Sequence, residues 1–166
     1  MNDDKHPNPA KLPLPHNTFS HYVAFGFGSG MAPKAPGTFG TVVGVLIYIA
    51  VLQDLSTLSY ILMLLVTAIG GIYLCDKTAS ELNVHDHPGI VWDEFVGYWI
   101  TMLMAPAGWL WIVLGFIYFR VFDIVKPWPI SWLDKKVGGG FGVMVDDIVA
   151  GIFAFVALQI TALIVV

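Results

Sequence analysis

Acidic residues stand in three short groups at the ends of apolar segments. Asp93-Glu94 directly precedes one apolar run, and Asp146-Asp147 lies between a glycine-rich stretch and the last apolar run. Asp123 has Arg120 and Lys126 at helical spacing on either side, so the three side chains share one broad helix face. Charged groups beside hydrocarbon are costly and are usually paired or functional. Carboxylate oxygens are ligands that Mg²⁺ takes, and Arg and Lys bind phosphate, so the pattern predicts a magnesium and phosphate site.

A second segment with phosphate-binding character is rich in Gly and Pro and runs from Gly26 to Thr38. Backbone amides at a helix N-terminus bind phosphate, and Thr38 is a suitable cap for the apolar helix that follows. Lys34 and Gly37 stand in the same segment. The spacing does not distinguish a phosphate loop from a flexible lead-in to the helix.

The polar loop ahead of Pro88-Gly89 contains His85-Asp86-His87. Two His and an Asp can bind a transition metal, but no Cys or distant His supports a zinc site. The loop therefore predicts a supporting role for His85, Asp86 and His87 behind the metal ligands.

The elements that must position these residues are apolar helices. The runs over 39–52 and 58–75 form a hairpin that can cross a bilayer and return, since a crossing takes about 20 helical residues. The runs over 95–105 and 109–119 flank a Pro-Ala-Gly turn, and this short hairpin either spans or re-enters. The last helix starts near Phe141. The predicted fold is all-α, a polytopic membrane helical bundle of about four to five apolar helices.

Composition agrees with a membrane protein. The 166 residues are 57% hydrophobic and 12% charged, against roughly 45–50% and about 25% in soluble domains. The length predicts one domain, over residues 22–166, behind a flexible, polar, Pro-rich tail over residues 1–21. A net charge of −4 without a basic run argues against a nucleic-acid partner.

The charges also predict an orientation. If the tail lies on one side of the membrane, the five predicted helices bring every Lys and Arg to that side, with every carboxylate except Asp54. Loops rich in Lys and Arg are cytoplasmic. The candidate site is therefore predicted at the cytoplasmic face.

Together these segments resemble one family, the phosphatidylglycerophosphatase A lipid phosphatases, from about residue 22 to residue 151. The matching stretches are Gly26–Gly30 with Pro36–Thr38, His85–His87 with Ile90–Gly97, Phe119-Arg120 with Asp123 and Lys126–Ile130, and Gly139-Gly140 with Gly142 and Asp146–Gly151. The resemblance implies a multi-pass enzyme of the bacterial inner membrane with a phospholipid substrate. It would hydrolyse phosphatidylglycerol phosphate to phosphatidylglycerol and inorganic phosphate with Mg²⁺, as the last step of phosphatidylglycerol synthesis.

The same resemblance suggests roles for individual residues. The predicted Mg²⁺ ligands and catalytic residues, one of which could act as a general base, are Asp93, Glu94, Asp123, Asp146 and Asp147. The predicted phosphate-binding residues are Lys34, Arg120 and Lys126, with backbone or hydroxyl contacts from Gly37 and Thr38. No Cys-x5-Arg loop is present, which excludes a cysteinyl-phosphate. The pattern favours direct attack by metal-activated water, and an aspartyl-phosphate intermediate stays open.

Two rival classes fit less well. A small transporter or channel would need carboxylates near the membrane midplane, whereas these stand at helix ends on one face. A CDP-alcohol phosphotransferase would carry an Asp-Gly-x2-Ala-Arg signature, which this sequence lacks.

Overall fold

The computed structural model describes residues 18–84 and 87–165, and all regular structure within these ranges is helical. The predicted all-α class is therefore confirmed for the described residues. The helices are α1 (Phe19–Ala24), a 3-10 segment (Gly26–Met31), α2 (Pro36–Ile47) continuing as a π-helical turn (Tyr48–Leu52), α3 (Thr57–Leu82), α4 (Trp92–Thr101), α5 (Trp109–Val125), α6 (Ile130–Lys136) and α7 (Gly139–Val165).

Two of the described helices are long and apolar enough to cross a bilayer. These are α3, with 26 residues, and α7, with 27 residues. α2 and its π-helical turn form a shorter apolar helix, Pro36–Leu52. The ten residues of α4 extend only about 15 Å, half of the roughly 30 Å hydrocarbon core. The predicted count of four to five membrane helices stays a prediction.

Several helix boundaries differ from the predicted ones. α2 begins at Pro36 rather than after Thr38, because proline's fixed φ suits the first helical position. α3 continues through polar residues to Leu82 and ends where Asn83 adopts a left-handed conformation. The loop predicted between Lys126 and α7 contains α6.

The start of the described chain is tied to the bundle. α1 begins at Phe19, within the range predicted as a tail, and His21 is buried. The His21 Nε2 atom lies 2.7 Å from Glu81 Oε2 on α3. The rest of the predicted tail, residues 1–17, lies outside the described residues.

α7 is the central helix and packs against α3, α4, α5 and α6. It crosses α4 so closely that a Cβ added to Gly151 would overlap the carbonyl oxygen of Gly97. Contacts advance in the same direction along both helices, from Gly97 with Asp147 to Thr101 with Gly151, so α4 and α7 run parallel here. Asp93 and Asp147 each stand one turn before their crossing glycine. The crossing therefore brings both carboxylates to the same end of the bundle.

α3 fixes the beginning of α7. Asp76 Oδ1 accepts a hydrogen bond of 2.8 Å from the Gly140 amide, one of the first-turn amides that have no partner within their own helix. Gly140 also packs directly on the α3 backbone at Ile72. Asp76 therefore caps α7 from a neighbouring helix.

We expect Asp76→Ala to lower the free energy of unfolding by about 1 kcal/mol, since it removes a helix-capping acceptor. Asp76→Asn keeps an oxygen at this position and should lose less. Unfolding in detergent, followed by circular dichroism, measures both variants. Equal stability of Asp76→Ala and the unaltered protein would contradict the capping role.

Candidate active site

A cavity of about 190 Å³ opens where α4, α5, α6 and α7 meet. All five carboxylates predicted from the sequence line it, together with Lys126 and His87. The full lining is His87, Pro88, Ile90, Asp93, Glu94, Asp123, Lys126, Asp134, Val137, Gly142, Val143, Asp146 and Asp147. The structure thus brings together the three acidic groups, which are far apart in the sequence.

Helix ends supply most of the charged groups. Asp93 and Glu94 occupy the first turn of α4, where the positive end of the helix dipole favours carboxylates. Asp123 lies in the last turn of α5, and Lys126 caps that helix in a left-handed conformation (φ 45°). The closing residue of α5 is therefore turned out of the helix and toward the cavity.

Arg120 is held by carboxylates beside the cavity and is not among its lining residues. Its Nη1 atom is hydrogen-bonded to Glu94 Oε2 and lies 2.9 Å from Asp123 Oδ2. The predicted phosphate-binding role of Arg120 stays a prediction. In this structure Arg120 joins α5 to α4 through its ion pair with Glu94.

Burial has the largest effect on the Glu94 carboxyl. It raises the pKa of Glu94 to about 7, against the opposing effects of the Arg120 charge and the Thr41 hydrogen bond. The surrounding protein thus makes ionisation of this carboxyl harder, and Arg120 and Thr41 partly offset that cost.

Lys126 lies between two carboxylates. Its Nζ atom is 2.7 Å from Asp134 Oδ1 on α6 and 2.7 Å from Asp146 Oδ2 on α7. Burial would lower the pKa of Lys126, but the charges and hydrogen bonds of Asp146 and Asp134 outweigh it, so the pKa lies above its ordinary value. Lys126 is therefore a fixed positive charge at the cavity wall.

The cavity carries more negative than positive charge. Among the described residues six carboxylates line it, and Arg120 and Lys126 pair with four of them. Asp93 and Asp147 have no cation partner in the described chain. Asp147 is only 3% exposed, and Asp93 Oδ1 accepts a hydrogen bond of 3.0 Å from the Glu94 amide. Buried charge of one sign is costly unless an ion of the other sign is bound.

The donor set fits a divalent cation such as Mg²⁺ in chemistry, because carboxylate oxygens dominate it. Within residues 18–84 and 87–165, no three His, Cys, Asp or Glu side chains are yet grouped closely enough to form a set of ligands. The predicted magnesium site therefore stays a prediction that the surplus of negative charge supports.

The other predicted phosphate-binding residues lie outside the cavity lining. Lys34 is exposed and has no ion pair within the described chain, and Thr38 is half-buried. Gly37 packs against Glu94, and a Cβ added there would overlap Glu94 Oε1. The missing side chain of Gly37 therefore leaves the space that the Glu94 carboxyl occupies.

Of the three residues predicted to support the site from the loop, His87 lines the cavity. Its Nδ1 atom accepts a hydrogen bond of 3.0 Å from the Gly89 amide, and its ring lies against Phe25. His85 and Asp86 lie outside the described residues.

Two residues at the site were missed by sequence reasoning. Asp134 lines the cavity from α6, in a region that was predicted to be loop. Thr41 is fully buried in α2 and contacts both Glu94 and Arg120. Its position one turn after Gly37 was the available signal, since both residues then share a helix face.

Comparison with known proteins gives relatives over most of the chain. Residues 22–162 match the family Phosphatidylglycerophosphatase A. The chain is 43% identical to phosphatidylglycerophosphatase A of Escherichia coli, over 90% of this chain and 87% of that protein. It is 42% identical to phosphatidylglycerophosphatase A of Haemophilus influenzae, over 83% of this chain and 85% of that protein.

A further relative, from Bacteroides thetaiotaomicron, carries the provisional name phosphatidylinositol-3-phosphatase. It is 37% identical over 83% of this chain and 90% of its own length. No solved structure matches the chain. The family match and the two relatives at 42–43% identity establish that the chain belongs to the phosphatidylglycerophosphatase A family, and they confirm that it is an enzyme that hydrolyses a phosphate ester.

Proposed function

We propose that this protein hydrolyses phosphatidylglycerol phosphate to phosphatidylglycerol and inorganic phosphate, with Mg²⁺, as the last step of phosphatidylglycerol synthesis. The observation that carries the proposal is the cavity in which six carboxylates and Lys126 converge, in a chain of this family. A phosphate monoester at the end of a lipid headgroup provides oxygens for both a metal ion and a lysine.

The proposed location is the bacterial inner membrane, with one domain over residues 22–166 and the cavity at the cytoplasmic face. α3 and α7 would span the bilayer, and both expose large apolar side chains along their length. The short α4 would enter from the cytoplasmic side and return through α5 as a re-entrant hairpin. Exposed Trp128, just before α6, and exposed Trp132, within it, are typical of a membrane interface.

Within the cavity, Asp93 and Asp147 are the strongest candidates to hold Mg²⁺, because no cation of the described chain pairs with them. Bound there, the ion would polarise the phosphoryl oxygens and offset the charge of the transition state. Lys126 would contact the phosphate as a point charge. A cavity carboxylate would accept a proton from the attacking water while the bond between phosphorus and the glycerol oxygen breaks, and that oxygen would take up a proton to give the lipid alcohol. In the alternative mechanism a carboxylate would attack phosphorus and displace the lipid alcohol, and water would then hydrolyse the aspartyl-phosphate to free the carboxylate and inorganic phosphate.

The purified protein should release inorganic phosphate from phosphatidylglycerol phosphate, and EDTA should abolish the release until Mg²⁺ is restored. Asp147→Asn and Asp93→Asn should each lower kcat/KM by about 100-fold or more, because they remove oxygens proposed to bind the ion. Asp54→Asn is the matched control, since Asp54 is exposed in the turn between α2 and α3.

No phosphate release from this lipid by the unaltered protein would overturn the proposal. Faster release from a phosphatidylinositol 3-phosphate would change the substrate but keep the reaction. Full Mg²⁺-dependent activity in both Asp variants would remove them as ligands.

Gly37→Ala should lower kcat by about tenfold or more, because the added methyl group would push Glu94 out of place, and overpacking costs about 1–3 kcal/mol. Gly70→Ala is the control, since a Cβ at Gly70 meets open space within its helix. Equal phosphate release by the two variants would show that Glu94 tolerates displacement.

Asp134→Asn should lower KM by up to about fivefold, because the substrate phosphate no longer competes with this carboxylate for Lys126. Initial rates over a range of lipid concentrations measure the change, with Asp54→Asn again as control. A higher KM would contradict competition and would mean that Asp134 holds Lys126 in its working position.

A further inference from the structure

Thr41 connects three parts of the site although it does not line the cavity. It is fully buried in α2. Its Oγ1 atom is hydrogen-bonded to Glu94 Oε2 on α4 and lies 3.3 Å from Arg120 Nη1 on α5. One hydroxyl therefore meets a carboxylate and a guanidinium from two other helices.

The hydroxyl has few ways to use its single proton. It can donate to the carbonyl of Gly37, 3.0 Å away, or to Glu94, while it accepts from Arg120. A threonine inside a helix can donate its proton to the carbonyl one turn back, as Thr67 does to the Met63 carbonyl at 2.8 Å. The Gly37 carbonyl alone would accept the Thr41 proton, so the contacts with Glu94 and Arg120 are not needed to satisfy the hydroxyl within α2.

These contacts restrict the Glu94 carboxylate. Arg120 and Thr41 both hold Oε2, whereas Oε1 has no hydrogen-bond partner in the described chain and packs against Gly37. A carboxylate held by two donors at one oxygen has little freedom to rotate, so the direction of its other oxygen is fixed.

We propose that Thr41 is a positioning residue for the phosphatase reaction, which orients the Glu94 carboxylate through its side-chain hydroxyl. The inference rests on the proposed function, and it takes Glu94, which lines the cavity, as the carboxylate that accepts the proton from the attacking water. Thr41 itself touches no substrate and works together with Arg120. Loss of the hydroxyl should therefore slow the chemical step and leave lipid binding almost unchanged, because Glu94 would be present but misdirected.

The test compares three variants of the full chain, purified in detergent and assayed for phosphate release from phosphatidylglycerol phosphate with Mg²⁺. Thr41→Val keeps the shape and removes the hydroxyl, whereas Thr41→Ser keeps the hydroxyl. Thr161→Val is the matched control, because the Thr161 hydroxyl bonds to the Ala157 carbonyl at 2.8 Å in the same manner and also contacts α5, through the Tyr118 hydroxyl at 3.0 Å. Thr161 stands about 21 Å along α7 from Asp147, away from the carboxylates.

Thr41→Val should lower kcat by about 10- to 100-fold with KM within about twofold, the range expected for one hydrogen bond to a charged group. Thr41→Ser should recover most of kcat, and Thr161→Val should retain it. A purely structural role would instead lower the unfolding temperature of both Val variants alike and would give no such split between kcat and KM.

Each other outcome is decisive. An inactive unaltered protein would overturn the proposed function, whereas an active one with equal kcat in Thr41→Val and Thr161→Val would overturn only the role of Thr41. If Thr41→Val fails to fold, Thr41→Ala replaces it against Thr161→Ala. Failure of Thr41→Ala to fold as well would mean that the hydroxyl holds the bundle together, and the inference would be wrong.

Discussion

The site depends on the close crossing of α4 and α7 at Gly97 and Gly151. Packed helix axes are ordinarily about 8–10 Å apart, and small residues allow the closer approach seen here. Because Asp93 and Asp147 each stand one turn before their glycine on parallel helices, the crossing determines that they lie at one end of the bundle. A side chain at either glycine would separate the helices and therefore the carboxylates.

Bringing so many carboxylates together is electrostatically unfavourable, and α5 supplies much of the compensation. Arg120 pairs with Glu94 and Asp123 from the last turns of this helix, and Lys126 pairs with Asp146 and Asp134 from its end. The pairing divides the carboxylates of the cavity into four that form ion pairs with Arg120 or Lys126 and two, Asp93 and Asp147, that have no cation partner among the described residues. The proposed cation site rests on this division more than on the number of acids.

α2 acts at the site by supporting a carboxylate. Phosphate binding was predicted from Gly37 in its first turn and from Lys34 just before it, yet Lys34 is exposed and Gly37 and Thr41 face Glu94. The missing side chain of Gly37 makes room for the Glu94 carboxyl, and Thr41, one turn later, binds it. The same short stretch thus provides both the space and the hydrogen bond that fix one acidic group.

The sequence by itself determined the helical class, the family and five of the six acids that line the cavity. These follow from local patterns, since apolar runs and the charged residues at their ends are readable along one segment at a time. It did not predict α6, the extension of α3 through its polar turns, or the contributions of Asp134 and Thr41. The pair of Arg120 with Asp123 was readable from the sequence, because the two residues stand three apart on one helix. Only the tertiary structure decided that Arg120 also reaches Glu94 and that Lys126 reaches Asp146, because those contacts join different helices. The same packing leaves Asp93 without a cation partner among the described residues.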